Sequence, residues 1–206
     1  MRRCVIVGGA GIGNYDLIRG ELRADDYVIY CDSGLKHMEP LHRKPDLIIG
    51  DFDSHEDPHL AVETITLPHE KDDTDTFFAA KEAVKRGFDE FLLIGAAGAR
   101  LDHTLGNLSI LLLLDSHGKK ARMIDDYSEM EIVSREPVTV SSRYPYFSLL
   151  NISGVAEGVT VVGAKFPLSN AKITCDYPLG VSNEVLPGEE AVISVGRGRL
   201  LLIKVF

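Results

Sequence analysis

Asp51 and Asp53 follow an apolar run, "LIIG", that ends at Gly50. At the close of a buried strand in extended backbone, residues i and i+2 point the same way, so Phe52 would turn back into the fold. Two carboxylates about 4 Å apart repel by roughly 4 kcal/mol at an effective dielectric near 20. Water in an exposed turn can relieve that repulsion, and so can a cation. Mg²⁺ takes one or two carboxylates together with substrate phosphates, so the pair offers half of a metal site. An isolated Asp-x-Asp is also an ordinary solvated turn.

Three further stretches have the same double reading. In "EKDDTDTFFAA", Lys71, Asp72, Asp73 and Asp75 stand where a loop becomes a helix. A carboxylate in a first helical turn is favoured by the helix dipole alone, whereas Lys71 could reach a phosphate as a point charge. In "GAAGARLDHTLGN", a small-residue loop runs through Arg100 into a helix opening at Asp102 and His103. Small residues let a backbone approach a phosphate, and a helix N-terminus supplies free N–H donors. Arg100 could clamp a phosphate, and Asp102 could accept from a nucleoside donor or cap the helix. In "CDSG", Asp32 ends a strand and Gly34 follows in the turn. Together with "VGGAGIGN" this raises a dinucleotide-binding enzyme, but Asn14 stands where the last glycine of that fingerprint belongs. An aspartate-based phosphohydrolase of the haloacid dehalogenase type is another candidate, but His55 stands where a Thr or Val is wanted.

The elements that must position these residues read as two kinds of chain. "RCVIVGG", "DYVIYCD", "PDLIIGD", "TITLP" and "FDEFLLIGA" are strand-like. "DTDTFFAAKEAVKRG" has helical spacing, with Phe77, Ala80 and Val84 on one face, Thr74 to cap it and Gly87 to end it. In "LDHTLGNLSILLLLDSHG" the expected apolar stripe is Leu101, Leu105, Leu108 and Leu112. Further strands follow at "ARMIDD" and "EMEIVS". Strands alternating with helices predict a mostly parallel, Rossmann-like sheet with both faces covered. From about Arg135 the chain becomes short β runs separated by Gly, Pro, Asn and Ser, which predicts an all-β sandwich. The expected domains are residues 1–135 and 142–206.

Composition narrows the function. The 206 residues are 45% apolar and 26% charged, with a formal net charge of −9, which argues against a nucleic-acid partner. No apolar run approaches the ~18 residues of a membrane helix, and the opening apolar run is too short for a signal peptide. Cys4, Cys31 and Cys175 have no metal-binding spacing, and the first two sit in apolar runs as expected of buried thiols. This fits a reducing cytoplasm.

Taken in order, "CDSG", "GDFDS", "KDDTD" and "GAAGARLDHTLGN", followed by a β-rich tail carrying "GVSNEV", resemble the bacterial thiamine pyrophosphokinases over almost the whole chain. The resemblance implies Mg²⁺-dependent transfer of the pyrophosphoryl group of ATP to the thiamine hydroxyl, with release of AMP. It implies a homodimer binding thiamine between the α/β domain of one subunit and the sandwich of the other. Carried over by position, Asp51, Asp53 and Asp75 would bind Mg²⁺. ATP would lie along Asp32, Gly34, Asp53, Lys71, Asp72, Asp73, Arg100 and Asp102. Asp53, Lys71, Asp75 and Arg100 would be catalytic, and Ser182 and Asn183, with Asp102, would meet substrate. Two features depart from the family: Ala97 and Ala99 stand in a loop usually richer in glycine, and the chain has no Trp to cover a thiamine ring. Phe166 and Tyr177 could take that place. A non-catalytic thiamine or nucleotide sensor on the same scaffold is the alternative.

Overall fold

The computed structural model describes residues 2–52, 60–68, 70 and 72–206. It divides into two compact units, Met1–Asp126 and Tyr127–Phe206.

The first unit runs β1 (Arg3–Val7), α1 (Tyr15–Glu21), β2 (Tyr27–Cys31), a 3₁₀ turn (Asp32–His37), α2 (Met38–Leu41), β3 (Leu47–Gly50), β4 (Glu63–Thr66), α3 (Asp75–Lys85), β5 (Glu90–Ile94), α4 (Leu101–Ser116) and β6 (Lys120–Ile124). Its strands are parallel in the order β6-β5-β1-β2-β3-β4. Alternate residues Val5, Val7, Val28, Tyr30, Ile48, Leu92 and Ile94 share one core with Ile18, Leu35 and Leu41, as the two-residue side-chain period of a strand requires. α3 packs on β1, β2 and α4. Its buried residues are Ala79, Ala80 and Ala83, small enough to bring the helix backbone close to the sheet. Thr74 caps α3 as expected, accepting from the Phe77 N–H at 3.3 Å, and Gly87 follows the last turn at φ +80°.

The expected stripe on α4 is not the buried one. Leu101 and Leu105 are 66% and 57% exposed, and the helix buries Asn107, Ile110, Leu111, Leu114 and Asp115. With leucine on nearly every side, apolar spacing had no power to select a face.

The second unit is all β: β7 (Ser128–Val133), β8 (Val138–Val140), β9 (Tyr146–Leu150), β10 (Val155–Val162), β11 (Leu168–Thr174), β12 (Gly180–Asn183), β13 (Ala191–Ser194) and β14 (Leu200–Val205). Antiparallel strands lie in the orders β12-β9-β14-β7 and β11-β10-β13-β8. Phe147, Leu149, Leu200 and Leu202 from the first order meet Val159, Val161, Ile173 and Ile193 from the second in one core, which makes this unit a sandwich. The second unit begins at Tyr127, earlier than the change of character placed near residues 135–142. β7 pairs along its whole length with β14, near the far end of the chain, and local pattern does not reveal a partner so distant.

Candidate active site

In the parallel sheet, successive strands run outward from β1 through β2, β3 and β4, and the chain then returns to the other side of β1 as β5. Ligands bind beyond the carboxyl ends of such strands, at the point where the order reverses. A cleft of about 650 Å³ opens there. The segments Gly8–Gly11 after β1 and Gly95–Arg100 after β5 form one wall, and Asp32, Asp51 and the start of α3 contribute the rest.

The glycine-rich wall is backbone against backbone. Gly8 N–H donates to Ile94 O and Ala10 N–H to Gly95 O, both at 2.8 Å. A Cβ on Gly8 would lie 2.6 Å from Gly95 O, and one on Gly95, at φ +59°, 2.4 Å from Gly8 O. Both positions therefore require glycine. Polar side chains, the buried His37 and the half-buried Tyr15 and Asp126, brace this end of the unit. His37 reaches Ala10 O through Nε2 at 2.8 Å and Tyr15 OH through Nδ1 at 2.7 Å. Because a carbonyl only accepts, Nε2 carries the proton and Nδ1 accepts from the tyrosine. Burial lowers the His37 pKa, favouring that neutral form. The Asp126 carboxylate accepts from the Gly13 and Asn14 N–H groups at 2.7 and 2.8 Å.

Opposite the wall, Asp32, Asp51 and Asp75 each offer a carboxylate oxygen, and the three lie within 4.8 Å of one another. They come from three places: the end of β2, the end of β3 and the first turn of α3. Three oxygens with no nitrogen or sulfur suit a hard cation such as Mg²⁺. Cys31 also borders the cleft, but burial pushes its thiol pKa well up and keeps it protonated, so it supplies no thiolate ligand. Among the described residues lining the cleft, five are aspartates (with Asp72 and Asp73) and one is an arginine, Arg100. Such a wall attracts cations, and would take a phosphate only with a cation between.

The remaining sequence-derived residues divide. Arg100 lines the cleft but is held by Asp102 through two contacts, at 2.6 and 3.3 Å. The guanidinium holds the Asp102 carboxyl below its usual range. Both side chains are largely exposed, and the pair can open at little cost. Asp73 is engaged by Lys81 at 2.7 Å. Gly34 is buried under β1, where a Cβ would lie 2.3 Å from Val7 O, so its role is packing. Asp53 and Lys71 lie outside the described residues. Phe52 packs on the core as expected, but its backbone is left-handed, at φ +56°. Phe52 is therefore not in the extended backbone expected of it, and Asp32 completes the described cluster.

In the second unit, Ser182 stands at φ +58° with its N–H on Ser148 Oγ at 3.0 Å. Asn183 is buried. It accepts from the Phe166 and Glu184 N–H groups and donates to Phe166 O, which fixes the base of an exposed Phe166. Tyr177 is also exposed. Sequence reasoning missed Thr76, Thr104 and Asn107, which brace the cleft. The available signal was an asparagine inside a leucine-rich helix, because a buried amide needs partners.

A family model described as "Thiamin pyrophosphokinase, catalytic domain" matches residues 18–123, and one described as "Thiamin pyrophosphokinase, vitamin B1 binding domain" matches residues 130–200. The chain is 29% identical over 137 residues to a thiamine pyrophosphokinase of Bacillus subtilis (strain 168). That alignment covers 66% of this chain and 64% of the relative, so the match spans just under two thirds of the relative's length. The crystal structure of the thiamine pyrophosphokinase from Bacillus subtilis superposes with a TM-score of 0.87 at 26% identity, covering 99% of both chains. That from Geobacillus thermodenitrificans superposes at 0.85 and 26% identity, covering 99% of this chain and 97% of that one.

Proposed function

The chain belongs to the thiamin pyrophosphokinase family, and from that premise we propose that it transfers the pyrophosphoryl group of ATP to the hydroxyl of thiamine, giving thiamine pyrophosphate and AMP, with Mg²⁺. The observation that carries this reading is the meeting of three carboxylates, within 4.8 Å, with a cleft wall of glycine and alanine backbone. Such a constellation suits a metal-bound polyphosphate. The strand order supports a Rossmann-like reading of the first unit, with the nucleotide at the switch point.

Transfer of this kind is mostly positioning and charge stabilisation. Bound Mg²⁺ would neutralise phosphate charge, and Asp32, Asp51 and Asp75 would hold it, with Asp53 a further candidate from sequence. The Gly8–Gly11 and Gly95–Arg100 backbones receive the phosphates, and the first turn of α4 turns its N–H groups toward them. Arg100 leaves Asp102 for the phosphate charge that grows as AMP departs, and Lys71 adds a second cation. Asp72 and Asp73 deepen the negative field that draws in the thiamine cation. The hydroxyl attacks the β-phosphorus, and a loose transition state requires little help from a base.

We assign the second unit to thiamine binding, with Ser182 and Asn183 near the ring and Phe166 or Tyr177 against it. The pairing of a catalytic unit with a vitamin-binding unit supports a homodimer that shares its sites, and exposed Leu101 and Leu105 on the first unit fit a protein contact. A cytoplasmic location fits three cysteines that form no disulfide. Among the described residues, no helix is long and apolar enough to cross a membrane. The decisive assay incubates the protein with ATP, Mg²⁺ and thiamine and separates the nucleotides. AMP formed only with thiamine and Mg²⁺ together is the expected result. ADP in its place, or turnover without thiamine, would overturn the assignment.

A further inference from the structure

Thr76 follows Asp75 in the first turn of α3. Its Oγ1 lies 2.8 Å from Asn107 Oδ1, and Asn107 Nδ2 lies 2.7 Å from Ala96 O. Ala96 O only accepts, so the amide is fixed with Nδ2 toward the loop and Oδ1 toward Thr76, whose hydroxyl must donate. One turn earlier on α4, Thr104 Oγ1 accepts from Gly98 N–H at 3.1 Å. Gly98 in turn abuts Ala10, where a Cβ added to the glycine would come within 2.9 Å. A continuous path therefore runs from the helix turn that presents Asp75 through Asn107 to both phosphate-side loops. Asn107 is only 8% exposed, on a helix face that also buries Ile110, Leu111, Leu114 and Asp115. Leucine would pack there without needing a partner, and a buried amide is tolerated only when both its ends are bonded.

We propose that Thr76 and Asn107 are positioning residues: their hydrogen bond sets the spacing between the carboxylate cluster and the loop that receives the phosphates. The proposal rests on the pyrophosphokinase reading of the cleft. Thr76 has a second, separable role, because its Cγ2 methyl would be 3.2 Å from a Cβ on Gly8 and so packs against that loop. Two substitutions divide the roles. Thr76→Val keeps the shape and removes the donor, whereas Thr76→Ser keeps the donor and removes the methyl.

The test uses the full-length protein, with Mn²⁺ and a non-hydrolysable ATP analogue followed by electron paramagnetic resonance, beside steady-state kinetics. Thr76→Val is expected to weaken Mn²⁺–nucleotide binding about tenfold and to lower kcat about 10- to 100-fold, the scale of a misplacement near 1 Å, with KM for thiamine nearly unchanged. Thr76→Ser is expected to stay within about twofold of wild type on the same scale. Asn107→Leu, which suits its helix face, should reproduce the Thr76→Val losses and keeps the test open if one variant folds poorly. Thr76→Ser as impaired as Thr76→Val would mean that packing, not the hydrogen bond, matters, and would overturn the proposal. So would Thr76→Val or Asn107→Leu binding Mn²⁺–nucleotide like wild type. Wild-type protein that binds no Mn²⁺–nucleotide would instead refute the reading of the cleft on which the proposal rests.

Discussion

Asp32→Asn tests the carboxylate cluster through stability as well as activity. Two unit charges 4.8 Å apart repel by about 3.5 kcal/mol at an effective dielectric of 20. Neutralising Asp32 removes two of the three pairings. Asp51 and Asp75 are only half-buried, and water screens them, so the net gain without a cation is expected to be about 1–2 kcal/mol. At about 2–4 °C per kcal/mol for a chain of this size, melting should rise by about 2–8 °C in EDTA. Asparagine tolerates the left-handed backbone at this position, φ +39°, so the substitution adds no strain of its own. With Mg²⁺ and an ATP analogue the order should reverse, because the wild type gains binding free energy that the variant largely loses. Turnover should fall by about 10²-fold, the scale for a lost electrostatic stabiliser. The assay is thermal unfolding by circular dichroism in EDTA and in Mg²⁺ with nucleotide, beside AMP release. A variant less stable than wild type in EDTA, or one with the wild-type response to Mg²⁺, would refute the idea that these three acids share a cation.

Three other outcomes follow from the same geometry. Gly8→Ala drives a methyl to 2.6 Å from Gly95 O, which only backbone movement relieves; it should cost about 1–3 kcal/mol in denaturant unfolding and weaken nucleotide binding. Arg100→Ala removes an exposed side chain paired with the exposed Asp102, so Tm should not change while kcat/KM falls about 10²-fold; Arg100→Lys should not restore it, since a point charge does not reproduce the guanidinium fork. His37 has its pKa lowered by burial, so it stabilises the fold above its unfolded value near 6.5 and that stability is lost as pH falls through the lower folded value; the Tm advantage of wild type over His37→Gln should shrink as pH falls below about 6.5, and an advantage independent of pH would contradict the buried neutral imidazole.

Much of this was legible in the sequence wherever the signal is local. β1, β2, β3, β5 and β6 run into Gly or Asp because the chain must turn at the ligand end of a parallel sheet, and Thr74 announces α3 as any N-cap does. Asp51 was proposed as a metal ligand from its place at a strand end and Asp75 through the family resemblance, and the structure brings the two carboxylates together. The partner that completes the described cluster was read instead as a nucleotide contact. Asp32 is separated from Asp51 by a 3₁₀ turn, a helix and a strand, and only the parallel pairing of β2 with β3 brings their ends together. The buried face of α4 was misread because its sequence is apolar all round. Asn107 and His37 went unassigned for a related reason: each bonds to the backbone of a remote loop, and a main-chain carbonyl leaves no trace in residue identity.

The backbone itself singles out the carboxylate cluster. Among the described residues, five non-glycine residues have positive φ, and two of them, Asp32 and Phe52, belong to the segments that carry the cluster. For aspartate that conformation is tolerable; for a bulky aromatic it is an outlier, with a cost of order 1–3 kcal/mol. Nothing in an ordinary turn requires that cost, since glycine at residue 52 would remove it. What glycine could not do is pack on the core as Phe52 does, beside Ile48 and Leu35. The aromatic ring anchors the turn next to Asp51, whose carboxylate meets those of Asp32 and Asp75. Gly50 works to the same end from the other side: a Cβ there would stand 3.2 Å from both Cα and Cβ of Asp32. The strained residue and the glycine are thus complementary. One holds the loop in place and the other leaves room for the neighbouring acid, so that the carboxylates of Asp32, Asp51 and Asp75 meet within 4.8 Å.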